Sequence, residues 1–376
     1  MKALILSCGT GGGHDAAGRA IAEELTERGH TAVMMNPYTL KSRKCALRIN
    51  RIYVKTVQKA PRVFGAVYRL GNAYRRLPFR SPVYFANAGM CERLEKLIET
   101  EKPDVIFMPH LYPAEIITNM KNRGVKPPLS VFIATDYTCI PFTEETDCDA
   151  YVIPSEKLIG EFSGWNIPSE KLYPLGIPVS AAFSKERDRE SAVKRLGLDS
   201  QKRYILISGG SMGAGKLILA IKLLYDRFKN DESTRLIVIC GSNEWLYKQL
   251  KSRYSHNIKA VMFTDKMADY IAASDVYVTK PGGLSSTEAA VSGVPIVHIM
   301  SIPGCETENM RFYEENGMCI AVRKLGKRLP DAVEKLRGGE EALKINRQMK
   351  ININSNAAAD ICDLAAEILS DRVKGD

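Results

Sequence analysis

The chain has 376 residues, 45% of them hydrophobic, and a formal net charge of +10. That length predicts two to three domains, each able to bury a core, and no stretch approaches the roughly 20 apolar residues a membrane-crossing helix needs. Nine scattered cysteines with no C-x-x-C pair exclude a zinc ribbon or a thioredoxin-type motif and read as reduced, cytosolic thiols.

Ala3–Ser7 is a short apolar run of the kind a buried parallel strand shows. The glycine loop Cys8–His14 follows. A helix is expected over Ala16–Arg28, with Ala17, Ala20, Ile21 and Leu25 on one face, and a second strand over Thr31–Met35. This opening predicts a doubly wound α/β domain. The glycines do not fit G-x-G-x-x-G, and Asn36-Pro37 stands where a dinucleotide site needs an acid. His14 falls at the C-terminal edge of the sheet, where such sheets bind ligands. It is a candidate base there, or else it only fills the loop.

Residues 1–176 carry 23 Lys/Arg and 18 Asp/Glu, and Lys41–Arg80 alone supplies 12 of the basic residues and no acidic one. Aromatic and aliphatic residues interleave with these cations, including Phe64 and Tyr68 among Arg62, Arg69, Arg75 and Arg76. Such a stretch suits an anionic membrane surface. Nucleic acid, or a solvated face over ordinary core, are the other readings. Pro61, Gly65, Gly71 and Pro78 are expected to interrupt any single long helix.

Further along, a helix is expected over Ala86–Glu101 and a strand over Pro103–Pro109 that delivers His110. A helix over Tyr112–Arg123 and a strand over Leu129–Ala134 follow, the latter delivering Thr135-Asp136-Tyr137. Asp136 either orients His14 or an acceptor hydroxyl, or caps the turn. The D-x-D spacing of Asp147 and Asp149 is discounted as a metal signature. Strands near Tyr151 and Tyr173 lead to the proline-bounded linker Gly176–Val179.

The pattern then restarts. Strand Tyr204–Ser208 opens onto Gly209–Lys216, nearly a P-loop, but Leu217 stands where a magnesium-binding hydroxyl belongs. Strand Lys259–Phe263 ends in Phe263-Thr-Asp-Lys-Met267, a seat for a flat base. Asp275–Thr279 is a strand broken by Pro281, Gly282 and Gly283. Ser285 to Glu288 has the S-x-x-E spacing of a helix start. A glycine loop opening onto a helix presents free N–H groups and the positive dipole end, which suits a diphosphate. Glu288 then either accepts from sugar hydroxyls or closes the capping box. In Pro303–Asn309, Glu306 and Asn309 are candidate sugar readers or helix caps, and Ile361–Leu369 is a terminal amphipathic helix.

Taken together, Gly-Gly-Gly-His14, Thr-Asp136-Tyr, Gly209–Gly213, Phe263–Met267, Lys280–Glu288 and Pro303–Asn309 resemble the motifs of one family. It is the GT-B glycosyltransferases of the MurG-like, monogalactosyldiacylglycerol synthase and processive diacylglycerol glucosyltransferase group. The resemblance covers nearly the whole chain. It implies an α/β GT-B fold, two Rossmann-like domains facing a cleft. Residues 1–176, with a returning helix at about 358–376, would form the acceptor and membrane domain, and 177–357 the UDP-sugar domain.

The resemblance further implies a UDP-glucose or UDP-galactose donor. Its uracil would lie at Phe263 and Met267, its ribose at Glu288, and its sugar at Glu306 and Asn309. Its diphosphate would lie on Gly210, Ser211, Met212 and Gly213 and on Gly282, Gly283, Leu284, Ser285 and Ser286. Diacylglycerol or a similar lipid would be the acceptor, at Gly12, Gly13 and the basic aromatic segment. His14 would be the base for inverting attack, aided by Asp136, with no metal or other cofactor needed. The protein would sit peripherally on the cytoplasmic face of the cell membrane and bind no nucleic acid. Two departures stand out. Position 305 is Cys where the family often has Gln, and position 9 is Gly where plant galactolipid enzymes carry an acid. A UDP-sugar 2-epimerase and a non-catalytic UDP-sugar-binding membrane-surface protein are the alternatives.

Overall fold

The computed structural model describes residues 1–9, 12–59, 61–184, 188–209, 217–254, 257–299 and 301–375. They divide into two units, one of 1–181, 303–305 and 354–376, the other of 182–302 and 306–353.

The first unit runs β1 (Lys2–Leu6), α1 (Gly13–Glu27), β2 (Thr31–Met35), α2 (Arg43–Lys59), α3 (Pro61–Tyr74), α4 (Pro82–Ala88), α5 (Cys91–Glu101), β3 (Val105–Met108), α6 (Leu111–Asn122), β4 (Leu129–Ile133), β5 (Ala150–Val152), α7 (Ile159–Ser163) and β6 (Leu172–Tyr173). All pairings are parallel, in the order β2-β1-β3-β4-β5-β6. Strand order therefore reverses between β1 and β3, and ligands of open α/β sheets bind outside such a point. The central strands β3, β4 and β5 are buried on both faces, as parallel sheets require. Ala3, Ile5, Phe107 and Val131 pack with Ile21 and Leu25 of α1, and Ile361 and Ala365 of the terminal helix close the same core.

The second unit runs α8 (Ala181–Ser184), α9 (Arg189–Arg195), β7 (Arg203–Ser208), α10 (Leu217–Phe228), β8 (Thr234–Ile239), α11 (Glu244–Arg253), β9 (Ile258–Val261), α12 (Met267–Ala272), β10 (Val276–Thr279), α13 (Gly283–Val291), β11 (Ile296–Ile299), α14 (Cys305–Glu315), β12 (Cys319–Val322), α15 (Arg328–Leu336) and α16 (Glu340–Asn352). Its sheet is also parallel, ordered β12-β11-β10-β7-β8-β9, with the reversal between β7 and β10. The last helix, α17 (Ala357–Gly375), returns to the first unit, where Arg28 pairs with Asp363 and Arg372 with Asp149.

Several expected elements differ. In Lys41–Arg80 a new helix starts at Pro61 and α3 ends at Tyr74, ahead of Pro78, whereas Gly65 and Gly71 lie inside α3. A Cβ on Gly71 would touch Pro141 and Phe142, so the missing side chain lets the helix pack rather than ends it. Ala86–Glu101 is two helices, because Ser81 caps α4, with Pro82 at its first position, and α4 ends at Gly89. Among the described residues no helix is long and apolar enough to cross a membrane.

Candidate active site

Three neighbouring strand ends of the first unit converge on one edge. After β1, Gly12 caps α1 with φ of +84°, a left-handed turn that favours glycine, and sets His14 in the first turn. After β3, the Pro109 carbonyl lies 2.7 Å from His14 Nδ1. After β4, Thr135 Oγ1 lies 2.9 Å from the same nitrogen. A carbonyl only accepts, so His14 carries its proton on Nδ1 and Nε2 keeps a lone pair. His110 stands edge-on to His14, ring centroids 4.5 Å apart. Its own Nδ1 accepts from the Tyr112 N–H at 3.1 Å. Asp136 and Thr138 complete the lining of the small pocket these groups share.

Burial pushes the pKa of His14 below its usual value, with the Asp136 charge, the Pro109 carbonyl and the Asp15 charge opposing the shift. His110 is held well below its usual value, by burial first and by the His14 charge second. Both imidazoles are therefore neutral at pH 7. Asp136 acts on His14 through charge, and the groups on Nδ1 are Pro109 and Thr135 rather than Asp136. Asp15 accepts from Ser7 Oγ at 2.5 Å. A Cβ on Gly9 would come within 2.5 Å of Asn50 Nδ2, so an acidic side chain at position 9 has no room without a shift.

The basic segment divides. Val63, Val67 and Leu70 form an exposed apolar stripe at helical spacing on α3, and Leu47 and Ile52 are exposed on α2. Arg69 and Arg76 are exposed beside them, and Tyr68 is half-buried. The side chains of Arg62 and Phe64 lie outside the described set. Arg75 corrects the expectation of a surface contact. Its side chain is 1% exposed, pairs with Glu144 at 2.5 Å, donates to the Cys139 carbonyl at 2.9 Å and stacks 3.6 Å over Trp165. It is a buried tie within the first unit.

In the second unit, α13 begins at Gly283, two residues ahead of the expected Ser285 start. Its cap, Gly282, has no side chain to offer, no acid stands in the first turn, and the first intrahelical bond comes from the Ser286 N–H to the Gly282 carbonyl. The N–H groups of Gly283, Leu284 and Ser285 thus have no partner among the described residues, at the positive end of a helix dipole. This helix follows β10, which neighbours β7 at the reversal point of the sheet. Gly210, Ser211, Met212 and Gly213 lie outside the described residues. Phe263 is 77% exposed just past β9, Met267 opens α12, and Glu288 is half-buried on α13.

Three of the expected donor residues have side-chain partners within the second unit. Ser286 is wholly buried, with its hydroxyl 2.8 Å from His298 Nε2. Both Glu306 oxygens are engaged, one by Lys280 Nζ at 2.5 Å and one by the Ile302 N–H at 2.8 Å. Asn309 is 0% exposed and donates to the Pro281 carbonyl at 3.0 Å. Glu306 and Asn309 thereby tie down the Lys280–Pro281 loop that leads into α13. The Asp147 and Asp149 carboxylates pair with Lys171 and Lys121. Sequence reading passed over Thr135 and gave His110 no role. Their signal was position, each standing at the end of a strand beside β1 or β3.

Comparison with known proteins agrees with this division. Residues 14–179 match the monogalactosyldiacylglycerol synthase family, and residues 204–364 match the glycosyltransferase family 28 C-terminal domain. A processive diacylglycerol beta-glucosyltransferase of Bacillus pumilus (strain SAFR-032) is 23% identical over 354 residues, covering 93% of this chain and 90% of that one. The protein of that name from Bacillus subtilis (strain 168) is 23% identical over 371 residues, covering 97% and 94%. Among solved structures, MurG of Acinetobacter baumannii has a TM-score of 0.61 at 14% identity over 97% of this chain and 99% of that one. UDP-GlcNAc 2-epimerase from Neisseria meningitidis has 0.62 at 13% over 98% and 100%. These two likenesses show the fold, GT-B. Between them the two family matches take up most of the chain, and the protein belongs to the MurG-like, family 28 group of GT-B glycosyltransferases that includes monogalactosyldiacylglycerol synthase and processive diacylglycerol glucosyltransferase.

Proposed function

We propose that the protein transfers a hexose from a UDP-sugar to a membrane lipid, diacylglycerol or a close analogue, with inversion at the anomeric carbon. The observation that carries the reading is the position of His14, whose Nδ1 lies 2.7 Å from the Pro109 carbonyl, so that the proton belongs on Nδ1 and Nε2 can accept. In this reading Nε2 takes the proton of the acceptor hydroxyl as its oxygen attacks the anomeric carbon. The bond from that carbon to UDP breaks on the opposite face. The Asp136 charge favours the imidazolium that results.

The second unit holds the donor. The N–H groups of Gly283, Leu284 and Ser285 receive the diphosphate and stabilise charge as UDP leaves. Glu288, one turn further along the same helix, takes the ribose. The exposed ring of Phe263 and the side chain of Met267 seat the uracil. The exposed stripe of α2 and α3, with Arg69 and Arg76, docks on the inner face of the cell membrane and keeps the lipid acceptor within reach.

The test is a panel of UDP-hexoses offered to the protein with diacylglycerol in anionic vesicles, products resolved by mass and by anomeric configuration. The expected product is a β-linked hexosyl lipid from an α-linked donor, formed at the same rate with a chelator present. A free UDP-sugar altered without acceptor, or no product from any donor, overturns the reading.

A further inference from the structure

The second unit carries a concavity that none of these steps uses. It lies between α10 and α11, measures about 220 Å3, and is floored by Ile221, Leu246 and Leu250. Trp245, 59% exposed, and Ile218 form its rim. Tyr254 walls it and stacks edge-on against Tyr225, centroids 4.5 Å apart. The volume falls below the roughly 300–1,000 Å3 of a site that encloses a whole small molecule, so it suits the apolar end of a larger amphiphile.

The charged side chains that line it are both basic, and the acid on α10, Asp226, lies 3.9 Å from Lys229. Lys222 and Arg253 line the groove and are exposed, and neither has an ion-pair or hydrogen-bond partner among the described residues. Lys248 and Lys251 extend the basic rim along α11. The acid on α11 is Glu244, 3.9 Å from Lys248. An apolar trough with a cationic lip is complementary to an acyl chain bearing an anionic head. A protein helix would find no acidic lip to complement a basic face, and a free phosphate would leave the trough and Trp245 uncovered.

We propose that the groove between α10 and α11 binds one anionic phospholipid, its acyl end against Trp245, Leu246 and Leu250 and its headgroup on Lys222 and Arg253. This gives the second unit a lipid site of its own, separate from the exposed stripe of α2 and α3.

The chain has two tryptophans, and Trp165 sits beneath Arg75 in the first unit. The full-length Trp165→Phe variant therefore reports on Trp245 alone, and the same change read as a difference spectrum in the wild type guards against a folding defect. Dihexanoyl phosphatidylglycerol, kept below its micellar concentration, is expected to shift Trp245 emission to the blue in a saturable way. Dihexanoyl phosphatidylcholine should do so far more weakly, and inorganic phosphate not at all. The paired surface change Lys222→Glu and Arg253→Glu should weaken the response at least about tenfold. No shift, an equal shift with both lipids, or a shift that survives the paired change overturns the proposal. So does a blue shift that grows with protein concentration alone, which marks the groove as a face for a second copy. The titration reads neither UDP binding nor transfer, so its outcome stands apart from that of the proposed function.

Discussion

The helices α1 and α13 begin alike and are equipped oppositely. Each follows a strand and a glycine loop, each is capped by a glycine with no side-chain bond, and each stands at the reversal point of its sheet. The first turn of α1 carries His14 and Asp15, whereas that of α13 carries no acid, and its three amides have no partner among the described residues. One backbone device thus serves two ends. An acid beside a dipole end repels an anion but supports a cation forming on a neighbouring imidazole, and a bare end attracts a diphosphate. What separates proton transfer from anion binding is the side chains of a single turn.

The largest expected consequence of this contrast is on turnover. His14→Ala should lower transfer by about 10²–10⁴-fold and leave UDP affinity at the wild-type level, read by steady-state rates beside a UDP titration. A fully active variant removes His14 as the base. Stability separates the two kinds of arginine in the first unit next. Arg75→Ala strands Glu144 and should cost about 3–5 kcal/mol, whereas Arg76→Ala, at an exposed position, should stay within about 0.5 kcal/mol. Equal urea midpoints for the two variants would contradict the burial of the Arg75 pair.

The histidines of the two units sharpen the comparison through pH. Burial lowers the pKa of His298 to about 3, against roughly 6.5 when unfolded. Between those values the unfolded chain binds the extra proton, so stability is full above 6.5 and falls as pH drops, by about 1.4 kcal/mol per unit. His298→Gln should flatten that dependence; an unchanged slope assigns it elsewhere. His14 is lowered too, so the acid limb of kcat/KM is expected below pH 6.5. Asp136→Asn removes a charge that raises the His14 pKa, and the limb should move further down. A limb that moves up, or stays, denies the charge coupling.

How far the sequence foretold this follows from the range of the interactions. Both sheets were legible because apolar runs and glycine loops are local signals, and His14 and Glu288 could be placed from them. Arg75 was misread because Glu144 lies 69 residues away and Trp165 further still, so nothing near it marks a buried pair. The ties of Glu306 and Asn309 were hidden for the same reason, since Lys280 and Pro281 lie 26 and 28 residues away. The α13 start was set late because a glycine cap leaves no side-chain signature, while Ser285 and Glu288 imitate one. Thr135 escaped notice because its bond to His14 spans 121 residues.

The account turns on the bare amide end of α13 as the seat of the nucleotide, and a calorimetric titration of UDP into the wild type and Ser285→Asp tests it most directly. Ser285→Asp gives α13 the first-turn acid that α1 already has. The wild type is expected to give a one-site heat that UDP-hexose competes away, and the variant to bind at least about tenfold more weakly. No heat with the wild type, or an unchanged affinity in the variant, would contradict it.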